Sequence, residues 1–135
     1  MEELARSLTR ERRVLELLLF KLVEAQHLLV EGDDRFYAWA SAELKRVVEL
    51  VHEAELRRAL VTGENKTLAD IAATAPSPYG SILDDHRAGL RELVSEIESI
   101  SETSGSLART ARDCSQALTA TTCDLPLASL TDFLA

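Results

Sequence analysis

Leu8, Leu15, Leu22 and Leu29 recur every seventh residue near the start of the chain. Leu4, Leu18 and Ala25 fill most of the positions between them, and Glu11 is the exception. Alternating steps of three and four residues place side chains on one face of an α-helix. The pattern predicts an amphipathic helix over about Glu2–Val30. Val14, Leu17, Leu19 and Leu28 widen its stripe, as expected for a helix that touches more than one neighbour. Gly32 comes just after the last apolar position, where a left-handed C-cap is wanted. A second seam runs through Tyr37, Ala40, Leu44, Val47, Val51, Ala54, Arg58 and Val61. It predicts a helix from a cap at Asp33 or Asp34 to Gly63. Only a few residues join the two helices, so they must be antiparallel neighbours.

The stretch NKTLADIAATAPSPYG is the one real interruption. Thr67 can cap a short helix whose apolar face is Leu68, Ile71 and Ala72. Pro76 and Pro78 then stop and turn the chain, with Ser77 as a cap for the next helix. From about Pro78 to Thr121 a third seam alternates by three and four: Leu83, His86, Leu90, Leu93, Ile97, Ile100, Ser104, Leu107, Ala111, Cys114 and Leu118. Nine of its eleven positions are apolar. Ser104–Gly105–Ser106 weakens it, since glycine costs about 1 kcal/mol against alanine in a helix. A hinge or frayed end is expected there.

Lengths matter next. The first two helices would each span ~42 Å and the last ~65 Å, at 1.5 Å per residue. The last helix is expected to pass the end of its partners near Gly105, leaving Leu107, Ala111, Cys114 and Leu118 to project. Leaving such a seam wet forfeits roughly 25 cal/mol per Å² of apolar surface. Three coverings are open: the chain's own C-terminus folding back, a second copy, or a foreign helix laid into the groove. After Cys123, Leu127, Leu130, Phe133 and Leu134 again have helical spacing, with Asp124 as a cap. A helix this short is marginal alone in water. The expected fold is all-α: an antiparallel three-helix bundle or coiled coil with a short connecting helix and a long overhanging C-terminal helix. Residues 1–122 form the bundle domain, and 123–135 an amphipathic tail that orders on binding.

Composition agrees. The chain is 46% hydrophobic but has only one Trp, two Tyr and three Phe, so its core must be aliphatic. Five glycines and three prolines favour long helices over a many-turned sheet. A net charge of −8 argues against nucleic-acid binding, because RERR at Arg10–Arg13 is the best basic cluster and it holds a glutamate. The strongest apolar run, LELLLFKLV, is interrupted by Glu16 and Lys21 and falls far short of a membrane span. No apolar signal core opens the chain, so NKT at Asn65 reads as coincidence rather than a glycosylation acceptor. Cys114 and Cys123 on one helix would be ~13 Å apart along its axis, too far for a disulfide. Free thiols imply a reducing compartment, hence the cytoplasm.

Chemistry is sparse. Asp84, Asp85 and His86 are the best metal cluster, but adjacent helical residues diverge and the aspartates serve equally to complement a helix dipole. His27 and His52 have no comparable ligand spacing. Neither cysteine has a histidine base nearby, and no glycines cluster into a phosphate loop. Trp39 and Tyr37 read as core anchors near the hairpin tip. No enzyme activity, metal or cofactor is expected.

The ordered set of helices resembles the FlgN family of flagellar type III export chaperones over about residues 8–122. The resemblance lies in LLLFKLVEAQHLLVEGDDRFYAWASAELKRVVELVHEAELRRALV, then TLADIAA with its proline turn, then LRELVSEIESISETSGSLART. The family's glutamate, arginine and leucine near the end of the second helix fall on Glu55, Arg58 and Leu60 or Val61. Its two asparagines in the long helix are replaced by Ser101 and Ser104, ahead of Leu107. The resemblance implies a cytosolic, non-enzymatic chaperone that holds helical C-terminal segments of the hook–filament junction proteins FlgK and FlgL and helps deliver them to the export gate. On that view Leu107, Ala111, Cys114 and Leu118, with Leu127, Leu130 and Phe133, form the client surface. The alternative is a structural or signalling antiparallel coiled-coil module that homodimerises through the last helix.

Overall fold

A computed structural model describes residues 1–63, 65–110 and 127–135, with backbone only for 105–110. Among the described residues the chain is all-helical: α1 Glu2–Glu31, α2 Asp34–Thr62, α3 Leu68–Thr74, α4 Tyr79–Thr110 and α5 Ala128–Leu134. None of these helices is long and apolar enough to cross a membrane.

The seams and turns read from the sequence account for the first two helices. Leu4, Leu8, Leu15, Leu18, Leu22 and Ala25 are all buried on α1, and Tyr37, Ala40, Leu44, Val47, Val51 and Ala54 on α2. Gly32 ends α1 in the left-handed region at φ 71°, where a Cβ would be strained. Its N–H reaches the Leu29 carbonyl and the Asp33 N–H reaches that of Leu28. The Asp33 carboxylate then accepts from the Phe36 N–H at 3.1 Å. Such a cap is worth about 1 kcal/mol. In α3, Thr67 Oγ1 accepts from the Asp70 N–H in the same way.

One residue departs from the expected picture. Trp39 does not anchor the core with Tyr37; it is 66% exposed while Tyr37 is buried. Trp39 lies two positions from Tyr37, which turns it about 200° around a helix of 3.6 residues per turn. Its ring instead meets Phe36 edge to face, with centroids 5.7 Å apart. α4 stays helical through Ser104–Ser106, as its seam predicts, and runs on to Thr110.

α1 is the shared element. It packs along both α2 and α4, whereas α2 and α4 make no comparable contact with one another among the described residues. α3 and α5 pack on α4. The relative direction of α1 and α4 is set by their contacts. Thr9 meets His86 at 3.5 Å, and the Arg12 guanidinium lies across Gly89. Both pairs are offset by 77 positions (86 less 9, 89 less 12), so the helices are parallel. At that offset Leu107 stands level with Val30 and Thr110 with Asp33. The described part of α4 therefore reaches the hairpin turn without passing it, and the overhang expected from Gly105 onward does not begin there. The reason is that α4 starts at Tyr79, level with Glu2, while α1 and its turn run on to Asp33.

Arg12 also reaches Asp85 at 3.6 Å. This gives one of the acids singled out in the sequence a pairing role. His86 is half-buried, and burial followed by the nearby Arg12 charge pushes its pKa below the ordinary histidine value.

Candidate partner-binding site

The base of the bundle, where α1 begins and α2 ends, holds the one charged cluster of the core among the described residues. Glu11 and Arg58 are the polar exceptions on their respective seams, and they meet. Arg58 Nε donates to Glu11 Oε2 at 2.9 Å, with both side chains almost fully buried. Arg58 Nη2 lies 3.9 Å from Glu55 Oε1. A single guanidinium thus faces two carboxylates in the interior. Burial pushes the Glu11 carboxyl up to about 7 against the opposing pull of Arg58, and the Glu55 charge adds to the rise. Between about pH 4.5 and 7 the unfolded chain is ionised at this position while the folded chain holds its proton. This group's effect on stability is therefore least unfavourable at low pH, and stability falls as pH rises to 7. Urea unfolding of the natural chain and of Glu11→Gln at pH 5 and pH 8 should show the natural chain losing on the order of 2 kcal/mol relative to the variant. Equal pH slopes would contradict this.

The C-terminal segment completes the cluster. Leu127, Leu130, Phe133 and Leu134 are buried and belong to the same continuous core as Leu8, Leu68, Leu83 and Leu90. The Phe133 ring lies 4.1 Å from the Arg58 guanidinium, a favourable cation–π contact. Arg87 donates to the carbonyl oxygens of Leu134 and Ala135, both at 3.1 Å. These bonds satisfy acceptors that a helix end leaves free. Leu127, Leu130 and Phe133, expected on the client surface, are thus covered by their own chain, one of the coverings left open by the sequence. Four apolar side chains on one short helix bury against the nearest apolar surface, and that surface is their own chain. Leu107 lies within α4, at a position where the backbone alone is described. Ala111, Cys114 and Leu118 fall outside the described residues.

Open clefts flank α5 on both sides. On one side a cleft of about 620 Å³ opens between it and the α2–α3 turn, lined by Arg58, Thr62, Lys66, Ser129, Asp132 and Phe133. On the other, a cleft of about 310 Å³ is lined by Arg91, Val94, Ser95, Glu98, Thr131 and Leu134. The balance holding α5 is also narrow. Burying its four apolar side chains gains about 6–12 kcal/mol. Fixing the backbone of the eight residues from Leu127 to Leu134 costs about 8–16 kcal/mol.

Toward the hairpin the core becomes polar. Ser41 and Ser104 are buried, and among the described residues their hydroxyls and that of Ser101 have no hydrogen-bond partner. Ser101 and Ser104 are the serines standing where the FlgN pattern has asparagine. Sequence reasoning placed Arg58 on a seam but missed its partner. The available signal was that Glu11 and Arg58, of opposite charge, are the charged exceptions on two antiparallel seams.

No family model, curated protein or solved structure matches this chain.

Proposed function

We propose that this chain is a cytosolic export chaperone of the FlgN kind, binding helical C-terminal segments of flagellar hook–filament junction proteins so that they neither assemble early nor aggregate before secretion. The frame for this reading is an all-α chain in which α1 packs along both α2 and α4, with α3 as a connecting helix. The observation that carries it is α5, a short amphipathic helix seated between two open clefts on an apolar groove. Such a seat accepts an amphipathic helix by apolar anchors at i, i+3 and i+6 or i+7. Its present occupant is held by nearly cancelling terms, so a longer client helix with the same anchor spacing displaces it. The seam positions Leu107, Ala111, Cys114 and Leu118 extend the client surface, and the sequence's net negative charge keeps the loaded complex dispersed.

Hydrogen exchange tests the reading directly. C-terminal fragments of junction proteins, added in excess, should speed exchange of the α5 amides at residues 128–134. The groove helices α3 and α4 should stay protected or gain protection. Failure of every fragment to bind by calorimetry would defeat the proposal. So would binding that leaves α5 exchange unchanged.

A further inference from the structure

α1 carries a second seam on the side it turns away from the core, with Arg6 and Arg10 at one end bordering a cleft shared with Arg57, Leu60 and Val61 of α2. Lys21 marks the flank against α2, through its bond to Glu43. Thr9 and Arg12 mark the flank against α4. The arc left between those flanks holds Arg6, Arg10, Arg13, Leu17, Phe20, Glu24, His27 and Glu31, which again step by three and four. Seven of the eight are exposed and Glu24 is half-buried. Phe20 is 60% exposed, with Val23 and Val30 open along one edge of the stripe. A heptad stripe on a surface helix, with no helix packed along it among the described residues, is the pattern of an unfilled coiled-coil face.

The order of residues along this stripe identifies its occupant. The first third is basic, the middle is apolar and the last third is mostly acidic. Reversed, the stripe complements itself. When two copies run antiparallel about a twofold axis level with the Leu18–Leu19 peptide, each residue meets the one whose number makes 37 with its own. Leu17 then meets Phe20 of the second copy, Arg13 meets Glu24, and Arg6 meets Glu31. Arg10 meets His27, the one layer without opposite charges. By symmetry each pairing occurs twice. Antiparallel coiled coils join an a position to a d position in every layer, and each of these four pairings does so. A parallel dimer would instead stack Arg on Arg and Glu on Glu, which is repulsive.

We propose that the outward face of α1 is a homodimer interface in which two copies pack antiparallel through Leu17 and Phe20, flanked by Arg13–Glu24 and Arg6–Glu31 pairs between copies. The inference does not depend on the chaperone reading, because it uses a face remote from α5. The competing partners within one chain are weak. Arg6 is bonded to Glu2 one turn away, and Glu24 lies 3.7 Å from Lys21. Both are surface pairs of small net value. One helix face makes a contact in the weak, transient class, under about 1,200 Å². Dimers should accordingly appear at protein concentrations of roughly 10–500 µM.

Sedimentation equilibrium of the full chain over that range tests the interface. The natural chain should dimerise, and raising salt from about 50 to 500 mM should weaken the dimer several-fold. Phe20→Asp should weaken it roughly tenfold or more. Arg13→Glu and Glu24→Arg should each weaken it, and the double exchange should restore association to near the natural level. Circular dichroism on every variant checks that the helices remain, since these positions lie outside the core. A chain that stays monomeric at about 500 µM would overturn the inference. So would a dimer indifferent to Phe20→Asp, or a double exchange no better than either single one.

Discussion

Replacing Arg58 by alanine is expected to destabilise the fold by about 3–5 kcal/mol near pH 8. For a chain of this size that lowers the thermal midpoint by roughly 10–20 °C. The cause is what the substitution leaves behind. Glu11 is 1% exposed, and its one strong bond is to Arg58 Nε. Without the guanidinium Glu11 could stay in the core only by taking up a proton, at a cost that grows with pH, and Glu55 would lose the cation beside it. Phe133 would also lose the charge against its ring, loosening α5. The loss should shrink toward pH 5, because Glu11 takes up a proton more readily than an ordinary carboxylate. Glu11→Met together with Arg58→Met should recover most of the stability, since apolar side chains of similar volume often replace a buried ion pair without loss. Thermal and urea unfolding of the three variants at both pH values decide the matter. An alanine variant within about 1 kcal/mol of the natural chain would mean that the pair contributes little and that water reaches Glu11.

Leu130→Glu is expected to release α5 while leaving α1–α4 folded. Leu130 is 1% exposed, and a glutamate there would have to lose its hydration in the core or carry the short helix into solvent. Undocking is the cheaper course, because the terms that hold the segment nearly cancel. The expected signature is fast exchange across 128–134, with circular dichroism reduced only by the seven residues of α5. On the chaperone reading the variant should also bind a client helix more tightly. A groove freed of its own occupant no longer loses affinity to the docked state. If docking is worth about 1–2 kcal/mol, the gain is roughly 5- to 30-fold in Kd. Calorimetry with the same client fragment on both chains measures it. An unchanged or weakened affinity would place the client elsewhere, and loss of the whole helical signal would mean that α5 is integral to the core.

Helix existence and the inward face of each helix were legible in the residue pattern. The seams of α1 and α2 and the cap at Asp33 stand where periodicity and turn chemistry put them, as does the left-handed glycine at 32. These features are local: a step of three or four residues, or a side chain reaching an amide three positions on, is set within one or two turns of chain. Which seam meets which was decided by packing. The sequence marks Glu11 and Arg58 as exceptions, but only the register of α1 on α2 brings them together across 47 positions. Trp39 is a large apolar residue one would bury, and its angle on α2 turns it outward. α5 was recognisable as an amphipathic helix, yet its place depended on an apolar seat assembled from α3 and α4, far from it in the chain. The second stripe of α1 shows both halves at once. Its charge order is written wholly in the sequence, whereas its freedom to meet another chain comes from α2 and α4 taking the other two sides of that helix. Periodicity determines which side chains share a face. Only the tertiary structure decides which faces are used up and which remain open, because burial is a property of neighbours that lie far away in the sequence.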